Sequence, residues 1–435
     1  MKSIIGIRHE DKYLMERRVP LVPAHIKELI EKYGLRFEVQ SSGKRVFSDK
    51  EFSEVGAGIV QDLSNAGVIF GVKEMPSTFF QENKTYIFFS HVIKGQSYNM
   101  PMLNAMIQNK CNLIDYERVA NDKGQRLIFF GRYAGLAGMI NTLWTLGLRL
   151  KYYGHDTPFL KIKQAYTYKS LDEARAAVSE VGRDIAAHGM TPMLSPFVFG
   201  ITGYGNVSRG AMEILDLLPV KEITPQELVA AGANLTPDPF CVYKVVFKEE
   251  HISARNDESD FDLQHYYNNP GEYHSIFEQY IPHLSSLING MYWDSRYPRI
   301  ITRDQLMASY SVNRIPKLLV IGDITCDPDG SIEATVKGTY VEDPIYVYDP
   351  FNAEIVSGYE TDGIQIMAVD ILPSELPRES SEAFSSALYE YVDAIAECDF
   401  SKDFAELQLP MDIKRALILK QGKFTPDFEY IQDYL

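Results

Sequence analysis

Short apolar runs and amphipathic stretches alternate along the first 130 residues: "SIIGIR", "PAHIKELIEKYG", "RFEVQ", "AGVIFGVK", "TYIFFSH", "MPMLNAMIQNK", "CNLIDY" and "RLIFFG". Runs of period two or continuous apolarity predict strands, and stretches of period 3.6 predict helices, so this order predicts a mostly parallel sheet. Pro23 and Gly34 supply the start and stop signals of the first helix. Residues 133–148, "YAGLAGMINTLWTLGL", predict a buried helix whose Ala134, Gly135, Ala137 and Gly138 allow close approach of a neighbouring backbone. In "KSLDEARAAVSEVGRDIAAHG", Ser170 and Glu173 form a capping-box pattern, and Leu171, Ala174, Val178, Val181 and Ile185 repeat at helical spacing before Gly189. "SPFVFGITGYGNVSRGAMEILDLL" then reads as strand, glycine turn and helix. Residues 230–285 are polar, rich in Tyr and Asn, contain the strand-like "FCVYKVVF", and read as an insertion. "KLLVIGDITCDPDGSIE" is a buried strand ending in acids, and "GIQIMAVDILPSELPRESS" a proline-punctuated loop leading to a long C-terminal helix.

A chain of 435 residues is too long for one core, so two domains are expected. The 45% hydrophobic and 23% charged content excludes a disordered or fibrous class. A formal charge of −16 without a basic run argues against a nucleic-acid partner. Cys111, Cys241, Cys326 and Cys398 lie far apart in no CxxC or Cys/His cluster, so no metal site or disulfide framework is expected. The start "MKSIIGIRHEDK" lacks a signal peptide's apolar core, and residues 133–148 fall short of the ~20 apolar residues of a membrane span. A cytoplasmic protein without membrane partners is expected.

Gly203, Gly205 and Gly210 give G-x-G-x-x-x-x-G between a strand and a helix, where backbone N–H groups would face a pyrophosphate; a plain tight turn is the alternative. Glu222 lies near the offset of a ribose-reading acid, and could equally be a solvated strand-end glutamate. Lys73 in "GVKEM" and His91 in "HVIKGQ" each follow a strand-like run, and ends of neighbouring parallel strands converge on one sheet edge. Two adjoining cations would depress each other's pKa and make a lysine usable as a base. Separately they read as a solvated lysine and a core histidine. Arg18 in "ERRVPLVP" is a candidate carboxylate clamp or a surface ion-pair partner. Asp370 could cap a helix as well as orient a ligand.

"ERRVPLVP", "GVKEMP", "FFSHVIKGQ", "LIDYE", "FFGRYAGLAGMIN", "ITGYGNVSRGA" and "VDILPSELPRESS" follow one another in an order and spacing that resembles the lysine-ketoglutarate reductases, or lysine-forming saccharopine dehydrogenases. More broadly they resemble the alanine dehydrogenase and transhydrogenase superfamily. "LINGMYW", "RIITRDQL" and "GDITCDPDGSIE" are similar to the reductase half of the bifunctional aminoadipic semialdehyde synthases. The resemblance implies an α/β chain of two Rossmann-like doubly wound parallel-sheet domains with a cleft between them. Residues 1–131 plus 362–435 would form the substrate domain, and 132–361 the dinucleotide domain. It implies that Lys73 and His91 are the acid/base pair, that Arg18, Arg126 and Phe130 border the substrate, and that Glu74, Lys94 and Glu117 are supporting charges. Gly203, Gly205, Asn206, Val207, Gly210, Glu222 and Asp323 would serve the cofactor, with Gln96, Tyr292 and Asp370 close to the nicotinamide. The implied reaction condenses lysine with 2-oxoglutarate and reduces the imine to saccharopine, or the reverse. "VKEITPQEL" lacks a clear ribose-reading aspartate, so NADP(H) is favoured and NAD(H) is the second choice. Small-molecule substrates are the expected partners, and a homo-oligomer is compatible. The alternatives are an alanine-dehydrogenase-like amino-acid dehydrogenase and a nucleotide-binding regulatory module without turnover.

Overall fold

The computed structural model describes residues 2–232 and 235–435. The polypeptide divides into two units, Met1–Phe130 with Pro377–Leu435, and Gly131–Leu376.

In the first unit, β1 (Ile5–Ile7), β2 (Phe37–Gln40), β3 (Gly58–Val60), β4 (Val68–Phe70), β5 (Thr85–Phe88) and β6 (Asn112–Asp115) run parallel in the order β3-β2-β1-β4-β5-β6. The last part of the chain adds β17 (Leu417–Lys420), antiparallel to β6, and β18 (Lys423–Phe424), antiparallel to β17. The central strands β1, β4, β5 and β6 are buried at every residue, as a sheet covered on both faces requires. The winding reverses between β1 and β4, and this makes their carboxyl ends the natural place for a site. "RLIFFG" is no strand: Arg126 makes only an isolated bridge to Ala120, and Ile128 plugs the core while the backbone continues toward the next helix.

In the second unit, β7 (Val198–Thr202), β8 (Val220–Glu222), β9 (Val242–Phe247), β12 (Ser286–Asn289), β13 (Val320–Asp323) and β16 (Ile364–Met367) are parallel. β14 (Ile345–Asp349) and β15 (Glu354–Ser357) complete the edge antiparallel, in the order β15-β14-β16-β13-β12-β7-β9-β8. Two sequence expectations differ here. "FCVYKVVF" belongs to no insertion, because β9 pairs with β7 on one side and β8 on the other; only the hairpin of β10 (Ser253–Arg255) and β11 (Tyr273–Ser275) with its short helices stands apart. Residues 233 and 234 of the expected insertion lie outside the described residues. The expected boundary at 362 falls one strand early, since the wholly buried run Ile364–Met367 hydrogen-bonds to β13 and the crossing comes at Pro377.

Helix Gly131–Tyr152 is buried on almost all sides and packs on helix Asn206–Leu215 with backbones nearly touching. A Cβ on Gly135 would stand 1.9 Å from the Val207 carbonyl oxygen, and one on Gly210 2.1 Å from that of Arg132. Among the described residues, no helix is long and apolar enough to cross a membrane.

Candidate active site

The carboxyl ends of β1, β4 and β5 carry the charged residues of the first unit. After β1 comes "RHEDK", after β4 Lys73 and Glu74, and after β5 His91. Glu10 folds back beneath the β4 end: its two carboxylate oxygens accept the backbone N–H groups of Val72 at 2.7 Å and Lys73 at 2.9 Å. This fixes the backbone from which Lys73 projects. Burial first, and the charge of Glu16 second, push the Glu10 carboxyl up to about 7.

Glu74 Oε1 accepts from His91 Nδ1 at 2.8 Å and from Lys12 Nζ at 2.7 Å. Burial alone would raise the Glu74 carboxyl, but the hydrogen bond and charge of His91, with those of Lys12, outweigh it and hold the group at about 2. Glu74 therefore stays ionised and directs Nδ1 of His91 toward itself, which turns Nε2 outward. The His91 backbone is left-handed, φ 49°, and its carbonyl is held by Asn99 Nδ2 at 3.1 Å. The ring is thus held at Nδ1 and the backbone at its carbonyl, which leaves Nε2 as the ring nitrogen that Glu74 does not engage.

Replacing Glu74 by Gln should lower turnover about tenfold or more by releasing that ring. It should also change the acid stability. A carboxyl held at about 2, below its ordinary value of 4.5, adds stability above that ordinary value and loses it as pH falls through about 2. Thermal melts between those pH values should therefore fall more steeply for the wild type than for Glu74→Gln.

Arg18 is buried, and its Nε and Nη2 bind Glu16 at 2.7 and 2.5 Å while its guanidinium lies 4.2 Å from the centroid of Phe130. Burial opposes ionisation of Glu16, but Arg18 and then Lys73 bring its carboxyl below the usual range. Arg18 thus gives one edge of its fork to Glu16. Phe130 stacks on Phe384 at 4.4 Å. Arg126 is exposed, 3.9 Å from Glu117, with its guanidinium 5.9 Å from the Phe89 ring that stacks on His91. Lys94 is exposed on the loop beyond. Gln96 also belongs to the first unit, and its Oε1, like Oε2 of Glu74, is buried without a hydrogen-bond partner. Such acceptors suit a ligand that brings N–H donors. Glu10, Lys12 and Glu16 were not singled out from the sequence, although "RHEDK" ends a strand just as "GVKEM" does.

In the second unit, Gly203 turns at φ 81° after β7, and Gly205 is the N-cap of helix Asn206–Leu215, with no side chain capping that end. A Cβ on Gly205 would meet nothing within 4 Å, so the N–H groups of Asn206 and Val207 open onto space that a phosphate fits. The residues therefore fit a dinucleotide. Gly210 serves the helix contact described above. Glu222 is not brought to the turn: it pairs in register with Lys244, well short of the β9 end, and Lys244 Nζ binds it at 3.0 Å. Asp323 is wholly buried, its oxygens taken by Asn289, Thr325 and Thr335, in a network that also ties Asn289 to Thr202 at 2.7 Å. It braces three strand ends. Tyr292 is exposed and donates to Asp294 at 3.1 Å; Asp370 is exposed on the turn after β16. Among the described residues, no group of three or more His, Cys, Asp and Glu side chains could hold a metal ion.

Two family models match: the alanine dehydrogenase/PNT N-terminal domain over residues 6–137 and the corresponding C-terminal domain over residues 295–427. The chain belongs to the alanine dehydrogenase and transhydrogenase superfamily. Within it, the chain is 36% identical over 99% of its length to the mitochondrial alpha-aminoadipic semialdehyde synthase of Mus musculus, of which it covers 48%. It is 27% identical to the NAD(+), L-lysine-forming saccharopine dehydrogenase of Yarrowia lipolytica, over 88% of this chain and 90% of that one. The superfamily member thus spans about half the length of the semialdehyde synthases it matches. A solved L-alanine dehydrogenase covers 99% of both chains with a TM-score of 0.63 at 16% identity, and so shares the fold.

Proposed function

We propose that this superfamily member is an amino-acid oxidoreductase that condenses L-lysine with 2-oxoglutarate, reduces the imine to saccharopine, and runs the reverse. The observation that carries this reading is the pair of neighbouring strand ends that present Lys73 and a Glu74-oriented His91 at the first unit's winding reversal. The relatives named as saccharopine dehydrogenases support it.

Lysine's ε-amine must be neutral to attack the ketone, so a base must take its proton. Lys73 and His91 would do so. Loss of water from the carbinolamine then needs an acid, and the same pair returns the proton. Arg18, through the edge of its fork that Glu16 leaves, would hold a carboxylate of the dianionic keto acid. The Phe130–Phe384 stack beside it would exclude water. When bound, a nicotinamide supplies the hydride. Gly203, Gly205 and the N–H groups of Asn206 and Val207 would carry its pyrophosphate. The lean toward NADP(H) rests on the segment that contains Glu222, which the strand register keeps away from the glycine turn.

The test is oxidation of reduced nucleotide, NADPH and NADH in parallel, with 2-oxoglutarate plus lysine against pyruvate plus ammonia. Turnover with the first pair at least about tenfold above the second is expected. The reverse order would replace this reading by an alanine-dehydrogenase-like one, and turnover with neither by a binding module.

A further inference from the structure

In the second unit, the strand beside the glycine-turn strand is not the one that follows it along the chain. β8, reached directly through helix Asn206–Leu215, is the outermost strand, and β9 lies between it and β7. A dinucleotide with its pyrophosphate on the turn sets its adenosine ribose past the carboxyl end of the adjoining strand, about 4.8 Å across the sheet. Here that strand is β9. Its last residue, Phe247, stands opposite Thr202, and its carbonyl accepts the Gly203 N–H at 2.8 Å, so backbone joins the turn to the β9 end. Glu222, level with Lys244, is two strands out from β7 and roughly 10 Å back from that end.

Lys248, Glu249 and Glu250 follow Phe247. Glu249 Oε1 accepts the Tyr267 hydroxyl at 2.9 Å. Tyr204, the middle residue of the Gly-Tyr-Gly turn, belongs to the same group: burial first and the Glu249 charge second push its phenol up. Glu249 lies two residues past Phe247, whose carbonyl holds the Gly203 N–H, and this short tether keeps it beside the turn that would carry the pyrophosphate. Tyr204 and Tyr267 are 39% and 42% exposed, and offer aromatic surface of the kind on which an adenine stacks. Lys248 is exposed, and its cation is outnumbered by the two glutamates after it.

We propose that Glu249 reads the adenosine ribose by accepting its hydroxyls, and that the protein consequently binds NAD(H) more tightly than NADP(H). A carboxylate is a pure acceptor that suits a diol and repels a 2'-phosphate. The assignment rests on the reading of the second unit as a nicotinamide-dinucleotide unit.

The experiment is a fluorescence titration of the full chain with NADH and with NADPH. The wild type should bind NADH about tenfold or more the tighter, since a hydrogen bond to a charged group is worth roughly that factor or more. Glu249→Gln keeps an acceptor for Tyr267 and should weaken NADH about tenfold with little change for NADPH, and Glu249→Arg should reverse the preference. Glu222→Gln should leave both constants unchanged. Tighter NADPH binding by the wild type, or an unchanged NADH constant in Glu249→Gln, would overturn the assignment while leaving the nicotinamide reading in place. No saturable binding of either nucleotide by the wild type would overturn both.

Discussion

Replacing Lys73 by Met, or His91 by Gln, should lower turnover with lysine and 2-oxoglutarate by about 10²-fold or more, as expected when a group that moves a proton in the transition state is lost. Nucleotide affinity should stay near that of the wild type, because the residues assigned to the pyrophosphate and the adenosine ribose lie in the second unit. Met keeps most of the length and packing of Lys73 next to Tyr13, whose ring lies 5.9 Å from Nζ, but cannot accept or donate a proton. Gln at position 91 can still donate to Glu74 but cannot cycle a proton near neutral pH. Since His91 has φ 49°, a region that Asn tolerates better than Gln, His91→Asn separates backbone strain from lost proton transfer. The double variant should fall by less than the product of the two single effects, because groups that act as a unit are not additive. Steady-state kinetics that show near-normal turnover in Lys73→Met or His91→Gln would reduce that residue to a strand-end charge.

The elements that were legible in the sequence are those whose signal is local. "AGVIFGVK" and "TYIFFSH" each announce a strand and its charged end, and because β4 and β5 pair as parallel neighbours both ends lie on one edge of the sheet. What failed depends on partners distant in sequence. "FCVYKVVF" looks like a strand from its own residues, but only its hydrogen bonds to β7 and β8 make it central. That pairing displaces Glu222, because an offset of ~20 residues finds the ribose acid only when the next strand in the chain is also the next in the sheet. "GIQIM" reads as the start of a proline-rich loop, yet its full burial makes it β16. Glu10 and Lys12 carry no local signal of their own, because a run of charges after a strand usually means a solvated face. Only the fold shows Glu10 turned inward onto the Lys73 backbone, and Lys12 joined to Glu74.

The last two glycines of the turn motif should answer to substitution in opposite ways, and the contrast tests the nucleotide site. At Gly205 the backbone is extended, φ −76° and ψ −167°, which Val adopts without strain, and an added Cβ meets nothing within 4 Å. Gly205→Val should therefore melt close to the wild type, while its branched side chain occupies the space in front of the first helical N–H groups. Affinity for NADH and NADPH should fall by about 10²-fold or more, because the pyrophosphate loses its approach to those groups. At Gly210 an added Cβ would lie 2.1 Å from the Arg132 carbonyl oxygen, backbone in the packed helix Gly131–Tyr152 that cannot yield as a side-chain tip would. Gly210→Ala should cost about 1–3 kcal/mol through overpacking and lower the melting temperature by several degrees, with nucleotide binding weakened only as far as the helix is displaced. Differential scanning calorimetry and nucleotide titration on the two variants read both halves of the contrast. If Gly205→Val bound either nucleotide with the wild-type constant, the open space before Asn206 and Val207 would not be where the phosphates sit, and the glycine turn would be only a turn.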